Sequence, residues 1–289
     1  MQILINGLIS GLVLATLALG FQSVYLPTRI FFLTQAGIYS LTPYMAMQVR
    51  QAGGSWILAI GLAVLAAILV ALATERLNHR RLSRRQASSG VHLIASLGIY
   101  IILVQIIAMI WGNETQALRR GIDATFHFGD VVLTRAQLIS GGISLVMVAG
   151  FFIWLRLSNF GLQFRALADN PAQLALYGYN TDRLRQLAFG LCGLLTAVAS
   201  LITAYDVGFD PNGGLYVVLL AVVAVIIGGR GSFLAPVVGG VILGILRSQV
   251  VWYSSARWQE PATFSLLAVF LLLRPQGILG RKSRLEAEE

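Results

Sequence analysis

Long apolar runs dominate the chain. Ser55–Thr74 (SWILAIGLAVLAAILVALAT) and Leu93–Trp111 (LIASLGIYIILVQIIAMIW) contain no charged residue. An α-helix rises 1.5 Å per residue, so about 20 such residues cross a hydrocarbon core of roughly 30 Å. Lipid-facing barrel strands alternate apolar and polar positions, and these runs do not. The pattern predicts an all-α, polytopic transmembrane helical bundle in a single domain over residues 1–289. Its approximate spans are 3–22, 30–48, 55–74, 92–111, 136–155, 186–204, 215–229, 234–250 and 262–274. The last three are short, and Gly228, Gly229, Gly231 and Pro236 punctuate the region between two of them. Eight full spans with a broken or re-entrant piece therefore fit as well as nine, because irregular backbone at membrane depth is tolerated where protein or a water-filled cavity satisfies it. The opening run, MQILINGLISGLVLATLALGF, lacks a basic leader and an obvious cleavage site, and it reads as the first span.

Composition agrees, at 57% hydrophobic and 11% charged residues, and the placement of the net charge of +9 says more than its size. One cluster holds Arg76, Arg80, Arg81, Arg84 and Arg85. A second holds Arg156, Arg165, Arg183 and Arg185, and the tail holds Arg274, Arg281, Lys282 and Arg284. The intervening connections are poorer in basic groups. Gly112–Thr134 sets Arg119 and Arg120 against Glu114, Asp123 and Asp130, while Tyr205–Gly214 has only Asp206 and Asp210. The positive-inside rule places the arginine-rich regions in the cytoplasm, with an external N-terminus and a cytoplasmic tail over 275–289. The charge marks topology in a lipid bilayer, not a nucleic-acid site.

No enzyme signature is visible. His79, His92 and His127 are dispersed, Cys192 lies within an apolar run, and HExxH, CxxC and GxSxG motifs are absent. The predicted spans hold no carboxylate, which disfavours proton coupling and leaves cation coordination by an unwound helix open. The chain's lysine, Lys282, follows Arg281, so no Walker A motif exists. ATP-driven transport would need hydrolysis on another polypeptide.

One polar stretch, RALADNPAQLALYGYNTDR from Arg165 to Arg183, carries its own start and stop signals. Asn170 is a preferred N-cap, and Pro171 fits the first helical position. Gln173 stands where a capping box wants it, and Asp169 sits beside the positive end of the helix dipole. Gly178 suits the left-handed position that ends a helix, leaving a short helix over Pro171–Tyr177. Asn180 or Thr181 would cap the next span. So short a helix needs packing to persist. It reads either as an interfacial helix or as a rigid element docking a cytoplasmic partner, with Ala166, Ala168, Ala172 and Ala175 permitting close approach and Tyr177 and Tyr179 as anchors.

The stretch RALADNPAQLALYGYNTDRLRQLAF resembles the signature of the branched-chain amino acid ABC importer permeases. IGGRGSFLAPVVGGVILGIL (Ile227–Leu246) is similar to that family's glycine block, and FLTQAGIYSLTPYMA (Phe32–Ala46) to its N-terminal segment. The resemblance implies an inner-membrane permease subunit with a sister permease, commonly as a heterodimer. It also implies two cytoplasmic ATPase subunits that bind ATP and Mg, a substrate-binding protein outside, and no cofactor in this chain. The polar stretch, within a cytoplasmic region of about 156–185, would be the coupling helix. Arg165, Ala166, Asp169, Ala175, Gly178, Asn180 and Arg183 match the motif, and Asn170 and Pro171 open the helix. The implied solute is a hydrophobic or neutral amino acid, with urea or short amides as the family's alternative. A secondary transporter or channel working alone, and a membrane enzyme or scaffold, stand beside this reading.

In the glycine block, Gly228, Gly229, Gly231, Gly240 and Gly244 allow tight packing or gating, Gly240 and Gly244 form a GxxxG pair, and Ser232 is placed to cap the next helix. This chain departs from the family at Ala235-Pro236 and at Thr42-Pro43-Tyr44. Pro43 removes a backbone donor and is expected to break or kink its helix. An unwound helix suits a polar pathway, along which Thr34, Gln35, Tyr39, Ser40, Thr42 and Tyr44 are placed with Ser96 and Gln105. Interhelical hydrogen bonding is the competing role for each. A pathway without fixed charge would suit a neutral or zwitterionic solute.

Overall fold

The computed structural model describes residues 1–119, 124–128, 131–229, 231–274 and 276–280. Arg281, Lys282 and Arg284 of the expected tail, and Arg120, Asp123 and Asp130, lie outside the described residues. In chain order the helices are α1 (Gln2–Thr28), α2 (Thr34–Gln51), α3 (Trp56–Thr74), α4 (Arg80–Arg84), α5 (Ser89–Trp111), α6 (Arg135–Leu157), α7 (Asn159–Asp169), α8 (Pro171–Leu176), α9 (Thr181–Asp206), α10 (Gly213–Gly228), α11 (Ala235–Tyr253) and α12 (Gln259–Leu273). Six are long and apolar enough to cross a membrane: α1, α3 with its continuation to Arg84, α5, α6, α9 and α11. The other three expected segments are helical too. However, α10 and α12 are shorter, at 16 and 15 residues, and α2 is too polar to be recognised as a span by composition.

Two expectations need correction. The all-α reading misses a small antiparallel hairpin, β1 (Thr125–Phe128) with β2 (Val131–Thr134), between α5 and α6. The Gln2 side-chain amide closes both bonds with the Val132 backbone at 2.7 Å, tying the hairpin to the start of α1. The basic connection after α3 is also not a loop, because helix continues through a π-turn over Glu75–His79 into α4.

Small residues decide which helices touch. On α3 every fourth residue, Ala59, Ala63, Ala67 and Ala71, is buried, while Ile57, Leu65 and Leu69 face outward. Lipid is as apolar as leucine, so helix association rests on close packing of small side chains, and large ones can stay in the bilayer. The tightest seam joins α1 to α11. A Cβ on Gly7 would meet the Ile245 Cα at 2.8 Å, and one on Gly11 would meet the Val241 Cα at 2.9 Å. From the other side, Gly240 lies 2.8 Å from the Ala15 Cα by the same measure, and Gly244 abuts Gly11. Gly240 and Gly244 thus lie in this contact, against a Gly7–Gly11–Ala15 stripe that shares their four-residue spacing. The two backbones nearly touch.

α2 is buried at the centre, flanked by α3, α5, α9 and α10. The end of α10 is closed by the chain's last described segment, where the Ile278 and Leu279 amides donate to the Ile227 and Gly228 carbonyls at 2.9 and 2.8 Å. Gly229 has φ +112°, its helix-ending role in the glycine block, and Gly231 lies in the exposed turn that follows. Ser232 accepts from the Leu234 amide at 3.1 Å, a local turn ahead of α11, whose own N-cap residue is Leu234.

Gly244→Val places carbons against the Gly11 backbone, and overpacking of this kind costs about 1–3 kcal/mol. It should lower the thermal unfolding midpoint of the purified protein in detergent. Gly61→Val, at a position with nothing within 4 Å of a Cβ, should leave that midpoint unchanged.

Candidate functional site

Two features at opposite ends of the bundle bring together residues with functional potential. The first is the elbow formed by α7 and α8. Asn170 accepts from the Ala172 and Gln173 amides at 3.1 Å each, with Pro171 at the first helical position. The reciprocal half of the expected capping box is not formed, because the Asn170 amide already donates to the Ala166 carbonyl at the end of α7. Asp169 is accordingly the last residue of α7, one position before the Asn170 cap of α8. α8 stops in a Schellman arrangement: Gly178 N–H donates to the Ala175 carbonyl at 3.0 Å and Tyr179 N–H to the Leu174 carbonyl at 3.4 Å, with Gly178 at φ +82°. Asn180 then caps α9 through the Arg183 amide at 3.1 Å.

A six-residue helix is held by one buried side chain. Leu174 packs with Leu167 of α7 and Leu184 of α9. Burial of a leucine contributes about 2 kcal/mol, enough to dock a single turn onto its neighbours. Everything else on α8 is presented outward. Arg165, Asp169, Asn170, Pro171, Ala175, Gly178, Asn180 and Arg183 are exposed and Ala166 is half-buried, while Leu176 and Tyr177 are 87% and 81% exposed.

An ionic cluster welds the start of α9, immediately after this elbow, to the extension of α3. Arg185 donates to Glu75 at 2.9 and 3.4 Å and to Ser83 at 3.0 Å. Arg80 pairs with Asp182, and Arg76 donates to Gln186 at 3.0 Å. The Glu75 side chain is 2% exposed, so removing Arg185 would strand a buried charge at a cost of about 3–5 kcal/mol. Beside this cluster, His79 and His92, dispersed in sequence, meet at 3.1 Å between their Nδ1 atoms, against Phe32 and Phe189. No third ligand joins them among the described residues.

The expected pathway residues are brought together in part. Thr34 and Ser96 join α2 to α5 through bonds of 2.8 to 3.0 Å, and Gln35 bridges the Leu17 carbonyl of α1 and Thr196 of α9. These side chains pin helices. Gln105 faces outward from α5 and does not join them. Ser40 and Tyr44 are buried, and their hydroxyl oxygens have no hydrogen-bond partner among the described residues.

Pro43 requires a correction: it neither breaks nor unwinds α2, which runs continuously from Thr34 to Gln51. The missing N–H leaves the Tyr39 carbonyl without its helical donor, and Ser200 of α9 donates to it at 2.5 Å. Thr42 turns inward to the Ile38 carbonyl at 2.7 Å. A hydroxyl from a neighbouring helix thus replaces the lost bond, and the helix continues past the proline.

The second feature is a cavity of about 340 Å³ at the far end of α9. With 26 residues, α9 carries the chain roughly 39 Å from the elbow to Asp206. Asn6, Ser10, Gln137, Ser140, Asp206 and Arg247 line the cavity along with Tyr39 and Thr203, and its apolar wall includes Val13, Leu14, Leu17, Ala199 and Leu220. Arg247 lies inside the expected 234–250 span, so the expectation of a pathway without fixed charge does not hold for this cavity. A lone arginine within a predicted span was the available signal.

Residues 3–274 match the family described as branched-chain amino acid transport system / permease component. The chain belongs to that family. It is 27% identical to the high-affinity branched-chain amino acid transport system permease protein LivH of Salmonella typhimurium, over 97% of this chain and 96% of the relative. It is 25% identical to BraD, the corresponding permease protein of Pseudomonas aeruginosa, over 97% and 96%. A probable branched-chain amino acid transport permease protein of Methanocaldococcus jannaschii is 25% identical over 96% and 92%. Among solved structures, a chain of PsaBC from Streptococcus pneumoniae, in complex with a Fab, superposes with a TM-score of 0.53 at 11% identity, covering 96% of this chain and 93% of that one. That likeness concerns the fold. The chain is thus a multi-pass membrane permease component.

Ser200→Ala strands the Tyr39 carbonyl and should cost about 1–2 kcal/mol. Pro43→Ala restores the helical donor, so the loss from Ser200→Ala should shrink in the Pro43→Ala background. A thermal-stability double-mutant cycle in detergent checks this, and equal losses in both backgrounds would remove the compensation.

Proposed function

We propose that this chain is the inner-membrane permease subunit of an ATP-binding-cassette importer for hydrophobic or neutral amino acids, and that α8 is its coupling helix. The observation that carries the reading is a capped, rigidly docked and outward-facing short helix in a chain of this family. Its exposed Leu176 and Tyr177 are the type of anchor a protein groove buries. The sequence has no Walker A motif, so in this reading ATP and Mg are assigned to two separate ATPase subunits docked at the elbow. The arginines around the elbow support a cytoplasmic position for it by the positive-inside rule, and in that orientation the N-terminus and the cavity face outside. There a substrate-binding protein would deliver the solute, and a sister permease would complete the pathway as a heterodimer. The cavity's polar mouth and apolar wall suit an amino acid with a hydrocarbon side chain better than urea.

The ionic cluster gives the stroke a route. Displacement of α8 reaches α9 through Leu174–Leu184 and the α3 extension through Asp182 and Arg185. The test replaces the exposed anchors and spares the caps. Leu176→Asp with Tyr177→Asp should reduce ATP-driven leucine uptake by the reconstituted complex at least about tenfold, the effect of losing a 1.4 kcal/mol anchor. ATPase subunits should co-purify less, with membrane insertion unchanged. Uptake at the wild-type level would overturn the assignment of α8.

A further inference from the structure

We propose that Arg247 binds the α-carboxylate of the transported solute in the cavity at the mouth of the bundle; this rests on the amino acid importer reading above. Arg247 is half-buried on α11, about one turn after Gly244, and it lines the cavity. Its donors are spent on neutral acceptors only. Nη1 donates to the Tyr216 hydroxyl at 3.1 Å and to Thr263 Oγ1 at 3.5 Å, and Nη2 to Gln259 Oε1 at 3.3 Å. The guanidinium carbon also stands 5.9 Å from the Tyr216 ring centroid. None of the ion pairs among the described residues includes Arg247.

A guanidinium in a membrane-crossing helix is costly and is normally compensated by an anion or by water. Three neutral side chains fix the position of this one, and the Asp206 carboxylate, which lines the same cavity, is not among its hydrogen-bond partners. That is the arrangement expected where the anion arrives with a ligand, because a fixed planar donor set matches a carboxylate with little further ordering.

The shape of the cavity agrees. From Asn6 at the mouth to Leu17 in the interior, α1 advances roughly 16 Å at 1.5 Å per residue, room for an amino acid held by its head with its side chain inward. Asn6, Ser10 and Ser140 supply oxygen acceptors for the ammonium, and the apolar wall receives the side chain. Arg247 would then let this subunit recognise the solute class itself, in addition to whatever the binding protein selects.

Arg247 also straps α11 to α12 through Gln259 and Thr263, so the experiment must separate charge from strap. The complete complex, with sister permease, ATPases and binding protein, is reconstituted, and uptake of labelled leucine is measured at saturating binding protein. Arg247→Gln should lower uptake at least about tenfold, the scale of one lost charge-assisted carboxylate contact, while Arg247→Lys, which keeps the charge without the planar fork, should retain more uptake than Arg247→Gln. Basal ATP hydrolysis and subunit co-purification should stay within about twofold of wild type in both. Gln259→Ala, which removes one of the three contacts that position Arg247 and keeps the charge, should lower uptake much less than Arg247→Gln does. Undiminished uptake in Arg247→Gln, or a loss in Gln259→Ala as large as that in Arg247→Gln, overturns the inference alone. A wild-type complex that imports no amino acid overturns the functional reading and this inference together.

Discussion

The approach of α1 and α11 to backbone contact is the constraint on which the rest of the structure depends. Where Gly7, Gly11 and Ala15 meet Gly240 and Gly244, a Cβ at any of the four glycines would lie under 3.0 Å from a neighbouring atom. That seam fixes the register of two helices distant in sequence, and the register places Arg247 across from Asn6 and Ser10 at the mouth of the cavity. The same economy operates on α3, whose alanine stripe is its only contact face of that depth, leaving its isoleucines and leucines to lipid. In a medium that rewards no leucine for hiding, small residues mark the joints.

The polar groups inside the bundle act as a second, sparser set of joints. Gln35 spans α1 and α9, Thr34 and Ser96 join α2 to α5, and Ser200 makes good the bond that Pro43 removes. Charge is confined to the two ends. At one, Glu75, Asp182 and Arg185 knit the α3 extension to the root of α9, next to the exposed α8. At the other, Arg247 faces a cavity. The elbow at one end and the cavity at the other are joined by α9, which is the proposed route by which movement at the elbow would become a change at the mouth.

What was legible in the sequence follows from how local each cause is. The Asn170 cap, Pro171 and the Gly178 stop lie within a few residues of the groups they serve, so α8 was readable almost to the residue. The apolar runs fixed the long helices for the same reason. Pro43 misled because the rule against proline assumes the orphaned carbonyl stays orphaned, and Ser200 lies in another helix. His79 with His92, and Glu75 with Arg185, depend on tertiary approach that spacing does not encode. The Gly7–Gly11–Ala15 stripe was visible as a four-residue repeat, but only its partner on α11 gives the repeat a meaning. Arg247 was visible too, as a charge inside an apolar run.

The central claim is that energy enters this chain through α8. Cys192 is the sole cysteine and is buried, so a single introduced cysteine can be cross-linked against a silent background. Ala175→Cys on α8 and Ser10→Cys at the opposite end of the bundle form the decisive pair, each treated with a short bifunctional thiol–amine reagent in membranes carrying the full transporter. The account predicts an ATPase adduct from position 175, changing in yield between nucleotide-free and ATP-bound states, and none from position 10. No ATPase adduct from position 175, or equal adducts from both positions, would contradict it.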